Sequence, residues 1–318
     1  MGSMVKNVLI YLTSSVIVLV ILDIIFQQSK IISGLHIKVD ENGTFFRPDF
    51  HMFSFNEGFG IQYTDSNGVM IYNPDKSESW NIYGDSFIEA LQVFQRHHFA
   101  ESLAKSKDVS IVNFGQSSMN FESMFSTYFY AKEKFPAQKH ILFISSDDFD
   151  TDEIAHIFPL PEFNDTNILI RNSSFVYQET IQRKVERNFH NSSTLMLAKS
   201  DLRQVKNGQL PSILFDKFYI ESKEEIETED LVKPKRVIQL LNVLKNEPNV
   251  VLIYRGQEPM TKRYQQFFAD AKIPVFDLEM AMAKKSNSSY FYHQATNTYG
   301  HWNRKAHEII SEILNHEL

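Results

Sequence analysis

The sequence predicts an α/β fold, a parallel β-sheet with helices on both faces, preceded by one transmembrane helix and a small β-rich segment. Three observations predict it. From residue 78 onward short apolar runs alternate with amphipathic stretches, the pattern of βα units whose strands are covered on both faces. Val237, Leu240, Leu241 and Leu244 recur at helical spacing, as do Ala306, Ile309, Ile310, Ile313 and Leu314 at the C-terminal end. The third is a nearly unbroken apolar run near the N-terminus, "VLIYLTSSVIVLVILDIIF" from Val8 to Phe26, with Asp23 its only charge.

Residues 1–7 read as a tail, in which "MGS" before Met4 looks like an expression remnant. The run 8–26 has the length a bilayer requires, about 20 residues. No A-x-A site follows it in "QQSKIISG", so an anchor is favoured over a cleaved signal peptide. Lys6 precedes it and Lys30 follows it, a slight charge bias toward a cytoplasmic N-terminus. Residues 31–77 read as short extended pieces, with Asn42-Gly43 and Asn67-Gly68 placed as hairpin turns. Residues 78–318 form the α/β domain. Within it "SWNIYG" is a strand followed by a helical stretch to about Lys105, and "VSIVNFG" a strand followed by a helix to about Phe135. "HILFISS" is a third strand, and "VVLIYRG" and "IPVFDL" are later ones. The stretch 151–232 is less regular and reads as an insertion or lid.

Composition narrows the function. The 318 residues are 43% hydrophobic and 22% charged, enough to bury a sizeable core. A net charge of -7 without a basic stripe disfavours nucleic acid as a partner. The absence of cysteine removes disulfides, thiolate metal sites and cysteine nucleophiles. No histidine pair has H-E-x-x-H spacing, and the acidic run "SSDDFDTDE" lacks the glycine and terminal glutamate of an EF-hand. No metal or cofactor is therefore expected. Five N-x-S/T sequons, at Asn42, Asn164, Asn172, Asn191 and Asn287, matter only in a eukaryotic secretory setting.

Ser86, in "NIYGDSFIEALQVF", falls at the carboxyl end of the first core strand and the start of a helix. Ligand crevices of open α/β sheets form there, and helix N-termini favour negative charge. Serine is also a preferred helix N-cap, so position alone leaves two readings, a nucleophile or a cap. Other pieces weigh on the choice. "GDSF" at 84–87 resembles the first block of the SGNH, or GDSL-type, hydrolases. "VNFGQSS" with Gly115 resembles the second, and "YFYHQATNTYGHWNRKAHEIISEIL" the closing block.

The resemblance implies a flavodoxin-like, SGNH-type parallel sheet. Ser86 would attack an ester carbonyl, and His301 would be the base. Ser86, Gly115 and the third-block position, here Asp147, would form the oxyanion hole. Three departures stand out. Asp147 replaces an Asn, and an ionised Asp cannot donate a hydrogen bond. Ser145 replaces a Gly. The closing block's Asp before the His is absent, Thr298 and Tyr299 standing there, which leaves Asn297 or the backbone near Thr298 to orient His301. Asp85 reads as structural, as does His307 within the last helix, and His97 and His98 read as helix-surface residues.

The function so implied is a serine-dependent O-acyl, most readily acetyl, ester hydrolase or acyltransferase. It would act on a cell-envelope or extracellular carbohydrate from an extracytoplasmic, membrane-anchored position, with a membrane acyltransferase as a possible partner. The rival expectation is a catalytically weakened SGNH fold that binds a glycan or such a partner. An ordinary lipid esterase is a third.

Overall fold

The computed structural model describes residues 2–28, short strands between 31 and 54, 60–149 except Ser118, 162–163, 169–170, 235–285 except 257–258, 292–294 and 299–318. The 151–232 insertion therefore lies almost wholly outside the described residues, as do Asn297 and Thr298.

Helix α1 (Gly2–Gln28) is 27 residues long, about 40 Å at 1.5 Å per residue. Ten consecutive residues, 13–22, are exposed, so no face of that stretch is covered by protein. Among the described residues no helix is long and apolar enough to cross a membrane.

The β-rich segment holds β1 (Ile31–Ser33), β2 (Ile37–Asp40), β3 (Gly43–Phe46), β4 (His51–Ser54), β5 (Gly60–Tyr63) and β6 (Met70–Tyr72). Strands β2 and β3 form the expected antiparallel pair, with Asp40 opposite Gly43. The Asn67-Gly68 turn also forms, with Gly68 at φ 78 and the Asp65 carboxylate accepting from the N–H groups of Asn67 and Val69. It is not a hairpin turn. Strand β5 belongs to a three-stranded β1–β4–β5 sheet, whereas β6 crosses into the main sheet.

That main sheet adds β7 (Ser79–Tyr83), β8 (Ser110–Asn113), β9 (Lys139–Ile144), β12 (Val250–Tyr254) and β13 (Val275–Asp277); β10 (Glu162–Phe163) and β11 (Leu169–Ile170) pair only with each other. Its order is β13–β12–β9–β7–β8–β6, parallel except for β6 at the edge. Counting the five parallel strands in chain order gives 2-1-3-4-5, the flavodoxin-like arrangement, whose switch point lies between β7 and β9.

Helices cover both faces as the periodicity predicts. On one side α4 (Phe121–Lys134), α5 (Lys235–Lys245) and α6 (Lys262–Asp270) bury Phe125, Tyr128, Leu240, Leu244 and Phe268. On the other α3 (Phe99–Lys107), α7 (Leu278–Ala283) and the C-terminal α8 (Arg304–Glu317) bury Leu103, Leu278, Ala306, Ile310 and Leu314. The continuous helix expected after β7 is instead broken into α2 (Ser86–Glu89), a 3-10 turn at Gln95–His97, and α3. Ala90 ends α2 in the left-handed region (φ 46, ψ 47), which a helix cannot pass through. The chain closes with β14 (Tyr292–Gln294) and β15 (Tyr299–Trp302), an antiparallel pair leading into α8.

Candidate active site

Of the two readings of Ser86, the cap is taken by its neighbour. Asp85 is the N-cap, its Oδ1 accepting from the Phe87 N–H at 3.0 Å. Ser86 is the first helical residue, so its hydroxyl is not spent on capping. It lies 2.7 Å from His301 Nε2, across 215 residues of sequence. Both side chains are half-buried. His301 sits on β15, one residue before buried Trp302, and Asn303 caps α8 by accepting from the Ala306 N–H at 3.1 Å. The Phe87 ring packs on both partners of this corner, 4.8 Å from the His301 ring and 5.2 Å from Trp302.

The turn that carries Ser86 is held at each end. At the N-terminal end Asp85 Oδ2 accepts from Nη2 of Arg255, the residue following β12. The guanidinium also lies 4.3 Å over the Phe87 ring, and Nη2 is 3.4 Å from Ser145 Oγ. At the C-terminal end the Ile88 carbonyl accepts from Asn113 Nδ2 at 2.7 Å and lies 3.1 Å from His98 Nε2. Because His98 Nδ1 accepts from the Ala100 N–H, Nε2 must carry the proton, and the ring is neutral. Burial pushes its pKa down to about 3. The expectation of a surface His98 is thus corrected: the ring is fully buried and caps α3, which a histidine on the exposed side of an unbroken helix could not do.

Two residues expected in the oxyanion hole have other surroundings here. The Gly115 N–H donates to Asn113 Oδ1 at 2.7 Å and so is already committed. Glycine is required there for a different reason: a Cβ would sit 2.5 Å from Glu89 N and 2.7 Å from the Ile88 carbonyl carbon, where α2 abuts the β8 loop. Asp147 is exposed, in a 3-10 turn after β9. It is Asp148 that turns inward, accepting from the Ser145 N–H at 2.6 Å, next to Arg255 and Asp85. Burial raises its pKa, with Arg255 opposing and Asp85 assisting. As the first residue of α2, Ser86 has a backbone N–H that is not called on by the helix's own hydrogen bonds.

Arg255 was missed from sequence. Its position after the "VVLIY" strand, at the carboxyl edge beside the switch point, was the available signal. Glu89 was missed as well. It is 2% exposed, bonded to Ser117 Oγ, and burial, opposed by that bond, pushes its pKa up to about 8. Its Oε1 has no partner among the described residues. His307 is structural as expected, buried with Nδ1 accepting from the Phe99 N–H. The two residues expected to orient His301, Asn297 and Thr298, lie outside the described residues. Among the described residues no group of three or more acidic or histidine side chains could hold a metal ion.

No protein-family model matches the sequence, and no curated protein matches it significantly. Similar solved structures include a member of the lipolytic protein G-D-S-L family from Veillonella parvula, at 10% identity and a TM-score of 0.33 over 74% of this chain and 95% of that one. A lipase/acylhydrolase from Enterococcus faecalis is similar at 12% identity and a TM-score of 0.34, covering 76% and 94%. The acetyl xylan esterase Est2A from Butyrivibrio proteoclasticus is similar at 10% identity and 0.33, covering 82% and 66%. At likenesses this remote, the functional assignment rests on the site's own geometry.

Proposed function

We propose that the protein is a serine-dependent O-acyl ester hydrolase or acyltransferase of the SGNH type, with Ser86 as nucleophile and His301 as base. The observation that carries the reading is the 2.7 Å contact between His301 Nε2 and Ser86 Oγ at the carboxyl edge of the sheet, a separation suited to proton transfer. Ser86 Oγ attacks the ester carbonyl carbon while Nε2 takes its proton. The tetrahedral oxyanion faces the Ser86 N–H. Collapse breaks the acyl C–O bond, and the leaving alcohol takes the proton back from His301. Water or a sugar hydroxyl then attacks the acyl-serine, His301 again accepting the proton; collapse breaks the bond between the acyl carbon and Ser86 Oγ, Oγ takes the proton back from His301, and the acyl group leaves as the free acid or the new ester.

The substrate we propose is an acetylated carbohydrate of the cell envelope or outside it, reached by a domain held at a membrane by α1. The exposed apolar side chains of residues 16–22 support the anchor. The motif resemblance supports the carbohydrate ester, and a membrane acyltransferase is the partner such a domain would serve. A second reading, a weakened SGNH fold that binds a glycan, draws support from the committed Gly115 N–H and the outward Asp147.

One experiment separates the two. The full chain in detergent is incubated with a fluorophosphonate probe and with p-nitrophenyl acetate. Labelling and turnover by the wild type, both lost in Ser86→Ala, are expected; equal signal in both proteins, or none in either, rejects the nucleophile.

A further inference from the structure

Helix α2 is four residues long and cannot hold its own shape, because an isolated helical turn fixes many dihedrals for a single hydrogen bond. Its last bond runs from the Ala90 N–H to the carbonyl of Ser86 itself, at 3.0 Å. The geometry of the nucleophile therefore depends on where Ala90 is placed. Ala90 stands in the left-handed region, which disfavours a residue with a Cβ, so something outside the turn must hold it there.

That restraint comes from β5. Gln62, fully buried, donates from Nε2 to the Ala90 carbonyl at 3.1 Å and to the Val93 carbonyl at 3.0 Å. Its own Oε1 accepts from Tyr72 Oη on β6 at 3.5 Å. Tyr72 Oη in turn accepts at 3.4 Å from Asn113 Nδ2, the same amide nitrogen that reaches the Ile88 carbonyl. A second observation is independent of Gln62. Gly60 lies so close to the loop after α2 that a Cβ would collide with the carbonyl oxygens of Leu91 and Val93. Nearby, the Tyr63 N–H donates to Gln95 Oε1 at 2.8 Å, and Gln95 Nε2 donates to the Ile71 carbonyl at 3.0 Å.

We infer that Gln62 is a positioning residue for Ser86, and that the β-rich segment between α1 and the first core strand is a working part of the active site. A domain begun at residue 78 would lack the clamp. The consequence for catalysis rests on the proposed serine mechanism; the clamp itself does not. Gln62 acts through two hydrogen bonds, Gln62 to Ala90 and Ala90 to Ser86, and contributes nothing to substrate binding. Its loss should lower turnover and leave KM alone.

The test uses the full chain with Gln62→Met, which keeps length and apolar bulk and removes both donors. Gly60→Ala perturbs the same contact from another atom. Amide hydrogen exchange, read by mass spectrometry, should accelerate about tenfold or more in peptides covering 86–93 and stay at the wild-type rate in peptides covering β8 and β9. Turnover of p-nitrophenyl acetate per folded molecule should fall about 10- to 100-fold with KM within about twofold, the scale of a small misplacement of a reacting group.

Unchanged exchange at 86–93, or acceleration spread evenly along the chain, overturns the clamp. Local acceleration with wild-type turnover overturns its positioning role. If wild type is itself not labelled at Ser86, the esterase reading fails and exchange alone decides the clamp. Failure of both variants to fold makes the contact a requirement of folding and overturns positioning.

Discussion

The carboxyl ends of β7 and β9 are neighbours in the sheet and teach opposite things. At the β7 end a short motif keeps its geometry: Asp85 caps, Ser86 is released from capping, and a histidine from the far end of the chain meets its hydroxyl. At the β9 end the residues depart from the hydrolase pattern, and the vacancy is filled by charge. Asp148 turns in, Asp147 turns out, and Arg255 from the adjacent strand ties Asp85 to Ser145. The first end carries the contact on which the proposed proton transfer rests. The second is a compensated ionic cluster that keeps the first in place, since Arg255 reaches Ser86 only through the cap that precedes it.

Breaking the β7 side should give the largest effect. His301→Ala is expected to lower kcat/KM for p-nitrophenyl acetate by 10³-fold or more, about 4 kcal/mol of transition-state stabilisation. Its circular dichroism should remain that of wild type, because the ring is half-buried at the crevice. Residual activity near wild type would move the base elsewhere.

Breaking the β9 side should act on stability first. Arg255→Met leaves the Asp85 and Asp148 carboxylates without their cation in a buried setting, an arrangement that costs about 3–5 kcal/mol when one partner is removed. Urea unfolding would measure it. A loss below about 1 kcal/mol would mean that water already reaches the cluster.

Proton linkage sharpens the comparison, because two buried groups beside α2 titrate with opposite sign. Glu89, raised from 4.5 to about 8, holds its proton more tightly when folded. Its contribution is fully present below about pH 4.5 and is lost as pH rises through about 8. His98, lowered from 6.5 to about 3, is neutral when folded. Its contribution is present above about pH 6.5 and is lost as pH falls toward 3. Each is worth on the order of a few kcal/mol at its favourable limit. Glu89→Gln should flatten the alkaline side of a stability profile and spare the acid side, as read by thermal melts from pH 4 to 9. A parallel change on both sides would contradict the assignment.

The smallest effect is expected at Asp147. As an exposed residue it should tolerate Asp147→Asn with a stability change within about 0.5 kcal/mol and turnover within about twofold. A large gain in turnover would show that Asn at this position reaches the oxyanion after all, and would return the β9 end to the hydrolase pattern.

Much of this molecule is legible from local pattern. The alternation of apolar strands and amphipathic helices, the faces of α5 and α8, the strand before Ser86 and the cap at Asn303 all follow from periodicity and short-range hydrogen bonding, which one segment carries by itself. What a segment cannot carry is a choice made by its neighbours. Nothing within "GDSFIEALQVF" shows that a helix begun at Ser86 stops after one turn, since Ala90 takes the left-handed region against its own preference while β5 holds its carbonyl. Within "SSDDF" the Ser145 N–H holds the Asp148 carboxylate, and the charge of Arg255, more than a hundred residues later and invisible in that stretch, favours the same arrangement. His98 reads as a surface residue until two elements close over it. Sequence determined the layers and the strands of the main sheet, while the motif resemblance named Ser86 and His301. Tertiary structure alone decided how the turn that carries Ser86 is fixed, because its restraints are single long-range hydrogen bonds and one buried ion pair, which leave no periodic trace in the chain.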